Sequence, residues 1–119
     1  MKGRISNQFG DINISGDVIA TIAGSAAVEC SGVVGMAAVS LKDGLVRLLR
    51  RDSLHKGIEV SISEDSEVSL KLHIVAAYGV SLYAVSENLI ETVRYQIEAQ
   101  TGLKVGSVNV FVESVRPID

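Results

Sequence analysis

The chain has 119 residues, of which 47% are hydrophobic and 21% are charged, and this composition excludes a disordered protein. The length suits one domain, residues 1–119 with a core at about 9–115, and leaves no room for two. A net charge of −3 argues against a general nucleic-acid binder, which would be basic.

The first third of the chain predicts a strand, a helix and a second strand. Residues 9–14, from Phe9 to Ile14, are typical of a short strand. Ser15 can accept backbone N–H groups and begin a helix that runs to about Cys30, with many alanines at helical spacing. Residues 33–39 predict a short strand that bends at Gly35.

Residues 42–56, called the basic segment below, are the most basic part of the chain. The segment has five basic and two acidic residues, so it can attract an acidic partner. Leu45, Leu48 and Leu49 would line one face of a short helix there, and a mobile loop is the alternative. The candidate partner-binding residues are Arg47, Arg50, Arg51 and Lys56.

The second half of the chain predicts a hairpin, a long helix and a last strand. Apolar and polar residues alternate over 58–62 and 68–74, with a turn at 63–66, which indicates strands with one buried face. Ser81 can cap a helix over 82–101 that ends at Gly102, and a strand over 104–115 follows. The order predicts an α+β fold, a mixed sheet with two main helices packed on one face.

The uncovered face of that sheet is the candidate self-association surface. By alternation it carries His73, Val75, Asn109 and Phe111. An exposed Phe and Val on a sheet face favour coverage by another chain, and we therefore expect a homo-oligomer.

Motifs for chemistry are absent from the sequence. His55 and His73 belong to no group with metal-ligand spacing, and the lone Cys30 cannot form a zinc site or an internal disulfide. No phosphate-binding loop, dinucleotide fingerprint or nucleophile elbow is present. We therefore expect a non-enzyme with no catalytic, cofactor or metal site and no small-molecule substrate. An enzyme would need a deep pocket with convergent polar groups.

One motif favours an alternative function. Gly32-Val33-Val34-Gly35 has the G-x-x-G spacing with which KH domains clamp an RNA backbone. This motif and the basic segment together make a KH-like RNA-binding module the alternative to a protein-interaction domain. The apolar middle residues and the lack of interleaved aromatics argue against nucleic acid.

Seven short motifs in order resemble the alkaline-shock protein family, over residues 10–115. They are GDINI at 10–14, IAGSAA at 22–27, GVVGM at 32–36, KGIEV at 56–60, YGV at 78–80, TGLKV at 101–105 and VNVFV at 108–112.

The resemblance implies a non-enzymatic bacterial protein, common in Gram-positive organisms and linked to cell-envelope and alkaline stress. It implies protein partners, self-association, and membrane tethering only through a partner protein. The chain itself has no apolar run near the ~20 residues of a membrane span and no apolar signal core, so we expect a cytoplasmic location, membrane-proximal through such a partner. Its compact form resembles the single-domain members of the family.

Overall fold

The computed structural model describes residues 2–7, 10–40 and 42–117. The predicted strand start at Phe9 lies outside these residues. The elements are β1 (Lys2–Asn7), β2 (Gly10–Ser15), α1 (Gly16–Val28), β3 (Val33–Val39), β4 (Val46–Leu48), a 3₁₀ helix (Arg51–Gly57), β5 (Ile58–Ile62), β6 (Glu67–Ala77), α2 (Leu82–Thr101) and β7 (Lys104–Arg116).

Strand β6 is the centre of a five-stranded mixed sheet. Along one side β6 pairs with β7 in parallel, and along the other it pairs antiparallel with β5 and then with β3. Strand β4 extends the sheet beyond β3, so β4 and β7 lie at opposite edges. The parallel β6–β7 pair requires a crossover connection, and α2 provides it. Strands β1 and β2 form a separate antiparallel hairpin.

Both helices pack on one face of the sheet, called the inner face below. Helix α1 contacts β3, β5 and the 3₁₀ helix, whereas α2 contacts α1 and β7. The core between them is aliphatic, with Ile19, Met36, Leu70, Leu72 and Leu89 all almost fully buried. The predicted fold class, a mixed sheet with two main helices, is confirmed.

The helix ends follow the capping residues in the sequence. The Ser15 hydroxyl accepts the Val18 N–H and begins α1, and the Ser81 hydroxyl accepts the Ala84 N–H and begins α2. Gly102 ends α2 in the left-handed conformation, at a φ of 77° that favours glycine. Helix α1 ends at Val28 rather than near Cys30.

The basic segment is neither a helix over its leucines nor an irregular loop. Residues 46–48 form β4 and residues 51–57 form the 3₁₀ helix. Leu49 packs against the core, whereas its neighbour Leu48 pairs with Ala37 at the opposite face. Adjacent leucines that serve opposite faces are the pattern of a strand, so the interpretation as one helical face was wrong.

Strand β1 had no sequence prediction. Residues 2–7 read Lys-Gly-Arg-Ile-Ser-Asn and lack alternating apolar residues. The strand forms because its backbone pairs along its whole length with β2, from Lys2 opposite Ser15 to Asn7 opposite Gly10.

Candidate functional site

The outer face of the sheet, opposite the helices, carries a polar and aromatic surface built from three adjacent strands. Glu59 comes from β5, His73 from β6, and Phe111 and Glu113 from β7. We call these four residues the His73 cluster. Strand pairing sets its geometry, because His73 lies directly opposite Phe111 in the parallel register.

His73 is held between two carboxylates. Its Nδ1 lies 2.6 Å from Glu113 Oε2 and its Nε2 lies 2.7 Å from Glu59 Oε2. Ionised carboxylates only accept hydrogen bonds, so both ring nitrogens donate when His73 is an imidazolium. Neither nitrogen is then free to act as a general base.

A β-bulge places Glu113 in this cluster. The register between β6 and β7 shifts after the pair Ile74–Val112, and Val75 then pairs with Ser114. Glu113 is the extra residue, and a bulge of this kind redirects a side chain. The sequence pattern alone did not predict that Glu113 and Glu59 together bind His73, because that contact depends on the bulge and on the strand register.

The cluster shifts the pKa of two of its groups. Partial burial opposes the charged form of His73, but the hydrogen bonds to Glu113 and Glu59 outweigh it and raise the pKa of His73 above its ordinary value. The hydrogen bond from His73 lowers the pKa of Glu59. The charged histidine and the charged carboxylate therefore stabilise each other.

Phe111 gives the cluster an exposed apolar side. Its ring stacks on the His73 ring, with centroids 5.1 Å apart and planes 15° from parallel. Phe111 is nevertheless 42% exposed. An aromatic ring held in one orientation and half open to solvent is a feature of binding surfaces. Asn109 lies next to it on the same face and is also exposed.

Val75 differs from the other predicted self-association residues. Alternation places it on the outer face with His73, but its exposure is 0%. It pairs with Gly35, and a β-carbon built on Gly35 would lie 2.7 Å from Leu48 Cδ1. Leu48 thus occupies the space that a side chain at position 35 would fill, beside Val75. Because Val75 is covered within the chain, its assignment to an open surface was wrong.

The four predicted partner-binding residues lie at the β4 edge, away from the His73 cluster. Arg47 is in β4, Arg50 precedes the 3₁₀ helix, and Arg51 and Lys56 are within it. All four are exposed. No ion pair involves them in the part of the chain that the structure describes.

The Gly32–Gly35 motif does not form an open loop. Gly35 is buried within β3 and lies under Leu48. Val33 is paired with Ala76. A backbone clamp for RNA needs an exposed loop between two helices, and here the motif leads from a helix into a paired strand.

The described residues offer little for catalysis. Cys30 is buried and its thiol donates to the Ala26 carbonyl. The groove between α1 and α2 is lined by neutral side chains and one carboxylate, Glu29. Within residues 2–7, 10–40 and 42–117, no group of His, Cys, Asp and Glu is arranged to hold a metal ion, and no helix is long and apolar enough to cross a membrane.

Comparison with known proteins identifies the family. The sequence model of the alkaline-shock protein family, described by a cell envelope-related function, matches residues 4–117. The uncharacterized protein YloU of Bacillus subtilis is 38% identical over 117 residues, which is 98% of this chain and 97% of that protein. The uncharacterized protein Spy1614 of Streptococcus pyogenes is 40% identical over 119 residues, 99% of this chain and 98% of that protein.

A more distant relative, the uncharacterized protein YqhY of Bacillus subtilis, is 27% identical over 108 residues, 91% of this chain and 78% of that protein. No solved structure matches the chain. Neither the family description nor these names give a catalytic activity. The match over nearly the whole chain shows that this protein belongs to the alkaline-shock protein family, whose function is related to the cell envelope.

Proposed function

We propose that this protein is a non-enzymatic, cytoplasmic interaction domain that binds a second copy of itself and other proteins in support of cell-envelope function. In this proposal, a partner protein tethers the chain to the membrane. The observation that carries it is the half-exposed Phe111 ring, fixed against His73 on the sheet face opposite α1 and α2.

The rigidity of the His73 cluster supports binding rather than catalysis. Two short hydrogen bonds and a ring stack hold three strands together at one point. A surface that is already ordered loses little conformational entropy when a partner binds. A general base would instead need a free ring nitrogen near a reacting group.

The exposed basic residues of the β4 edge support a second contact. Arg47, Arg50, Arg51 and Lys56 are not neutralised by the chain's own described carboxylates, so they are free to attract an acidic partner. In this proposal a protein docks there while a second copy binds elsewhere on the sheet. RNA binding at this segment would instead weaken as salt concentration rises, and nuclease treatment would remove the bound RNA. It would also be lost in a variant with both Arg50→Ala and Arg51→Ala.

Phe111→Asp tests the proposed surface. A carboxylate in place of the ring removes apolar contact area and puts like charge beside Glu113, so we expect the mass measured by light scattering to fall to that of a monomer. Tyr95→Asp in α2, on the opposite side of the sheet, is the matched control, because it also replaces an exposed ring with one carboxylate. A Phe111→Asp variant with the same mass as an oligomeric wild type would contradict a role for Phe111 in self-association.

A further inference from the structure

Strand β7 has an edge with no strand partner in the described part of the chain. It is the longest strand, with 13 residues, and only β6 pairs with it. Such an edge presents unpaired N–H and C=O groups that another strand can bind. The stretch between the bulges at Gly106 and Glu113 reads Ser-Val-Asn-Val-Phe-Val, with high strand propensity, no charge and no proline.

We propose that β7 pairs antiparallel with β7 of a second copy, with Asn109 opposite itself at the two-fold axis. This inference rests on the proposed self-association and places it at the β7 edge, where Phe111 would lie opposite Ser107 of the second copy and so contribute to the contact. The two sheets then form one continuous sheet, with the helices of both copies on one side and both His73 clusters on the other.

The two faces of β7 are self-complementary in this arrangement. In an antiparallel pair, residues directly opposite each other share a face. With Asn109 opposite itself, Val108 lies opposite Val110 of the second copy on the inner face. Val110 and Val112 pack against the core but are only partly buried. The second copy would cover their remaining apolar area, which is the favourable contribution to pairing.

Charge favours this register over the one with Val110 at the axis. Lys104 and Glu113 lie near opposite ends of β7. With Asn109 at the axis, Lys104 lies opposite Ser114 of the second copy and therefore beside its Glu113, and the two-fold repeats this contact. With Val110 at the axis, Lys104 would instead lie opposite Arg116, which is unfavourable. Because β7 carries opposite charges at its two ends, it is complementary to an antiparallel copy of itself. A second copy is therefore favoured over an unrelated strand as the partner of this edge.

Cysteine cross-linking tests the geometry. Residues opposite each other across an antiparallel pair are about 5 Å apart, so Asn109→Cys should form a covalent dimer under mild oxidation. Lys71→Cys is the control on the same face, one strand further in. Its two copies would be about 14 Å apart across the paired edges and should not cross-link. Wild type, with only the buried Cys30, measures the background.

A charge exchange tests the register independently. Lys104→Glu and Glu113→Lys each place like charges together in a homodimer, and each should weaken dimerisation roughly tenfold. When the two variants are mixed, every contact in the heterodimer is again between opposite charges, so heterodimers should predominate in native mass spectrometry.

The outcomes separate this inference from the proposed function. Cross-linking of Asn109→Cys alone, together with preferred heterodimers, supports the edge pairing. If Lys71→Cys cross-links equally, or if Asn109→Cys fails while wild type is oligomeric, the edge pairing is wrong and self-association stands. A wild type that is monomeric at every concentration overturns both.

Discussion

At the scale of single residues, His73 joins three strands through charge. Its imidazolium binds carboxylates from β5 and β7, and its ring stacks on Phe111. The two hydrogen bonds raise the pKa of His73 despite its partial burial, and the hydrogen bond from His73 lowers the pKa of Glu59. The folded protein therefore holds the His73 proton more tightly than the unfolded chain does, and stability depends on pH.

His73→Gln should reveal that dependence. The pKa of His73 is higher in the folded protein than in the unfolded chain, where it is about 6.5. The resulting stabilisation is complete below about pH 6.5 and is lost as the pH rises through the pKa of the folded state. We expect urea unfolding to show wild type about 1 kcal/mol more stable than the variant at pH 6, with a smaller difference at pH 9.

His55→Gln, in the exposed 3₁₀ helix, is the control for loss of a histidine outside the cluster. Strong acid should also weaken the cluster, because Glu59 has a lowered pKa and its contribution is lost as pH falls through that value. A difference between wild type and His73→Gln that is equal at pH 6 and pH 9 would show that the imidazolium is not held as described.

At the scale of elements, local signals in the sequence explain most boundaries. Ser81 and Gly102 begin and end α2, and the alternation over β5 and β6 predicts both strands and their buried face. These predictions succeed because caps and alternation depend on neighbouring residues along the chain. Strand β1 and strand β4 were not predicted, because backbone pairing with the adjacent strand, rather than an alternating pattern of their own side chains, stabilises them.

Ser81→Ala tests how much one cap contributes. Removing the hydroxyl leaves the Ala84 N–H without its acceptor, so the free energy of unfolding should fall by about 1 kcal/mol. Asn88→Ala, at an exposed position within α2, is the matched control and should be neutral or slightly stabilising. Equal stability of Ser81→Ala and wild type in thermal or urea unfolding would argue against this cap.

The same distinction between side-chain pattern and strand pairing applies to the candidate site. His73, Asn109 and Phe111 follow from alternation, because each strand was predicted correctly. Val75 also points to the outer face, yet it is fully buried, and Leu48, which lies against its cross-strand partner Gly35, comes from the strand that the sequence pattern missed. Residue pairs such as Glu59 and His73 depend on the register between strands, which the hairpin turn sets only approximately.

At the scale of the whole molecule, the sheet presents two different edges. Strand β4 and the 3₁₀ helix carry exposed basic side chains, whereas β7 offers an uncharged stretch of strand. In the proposed assembly the β7 edges join two copies, and the basic segments lie at the far ends. Such a dimer would present two docking sites for acidic partners, and binding two sites at once increases the apparent affinity.

The mass of the wild-type protein in solution, measured by light scattering over a dilution series, tests the central claim most directly. Self-association predicts a mass near twice 12.6 kDa at high concentration that falls toward 12.6 kDa on dilution. A mass of 12.6 kDa at every concentration would contradict the claim that this sheet binds a second copy.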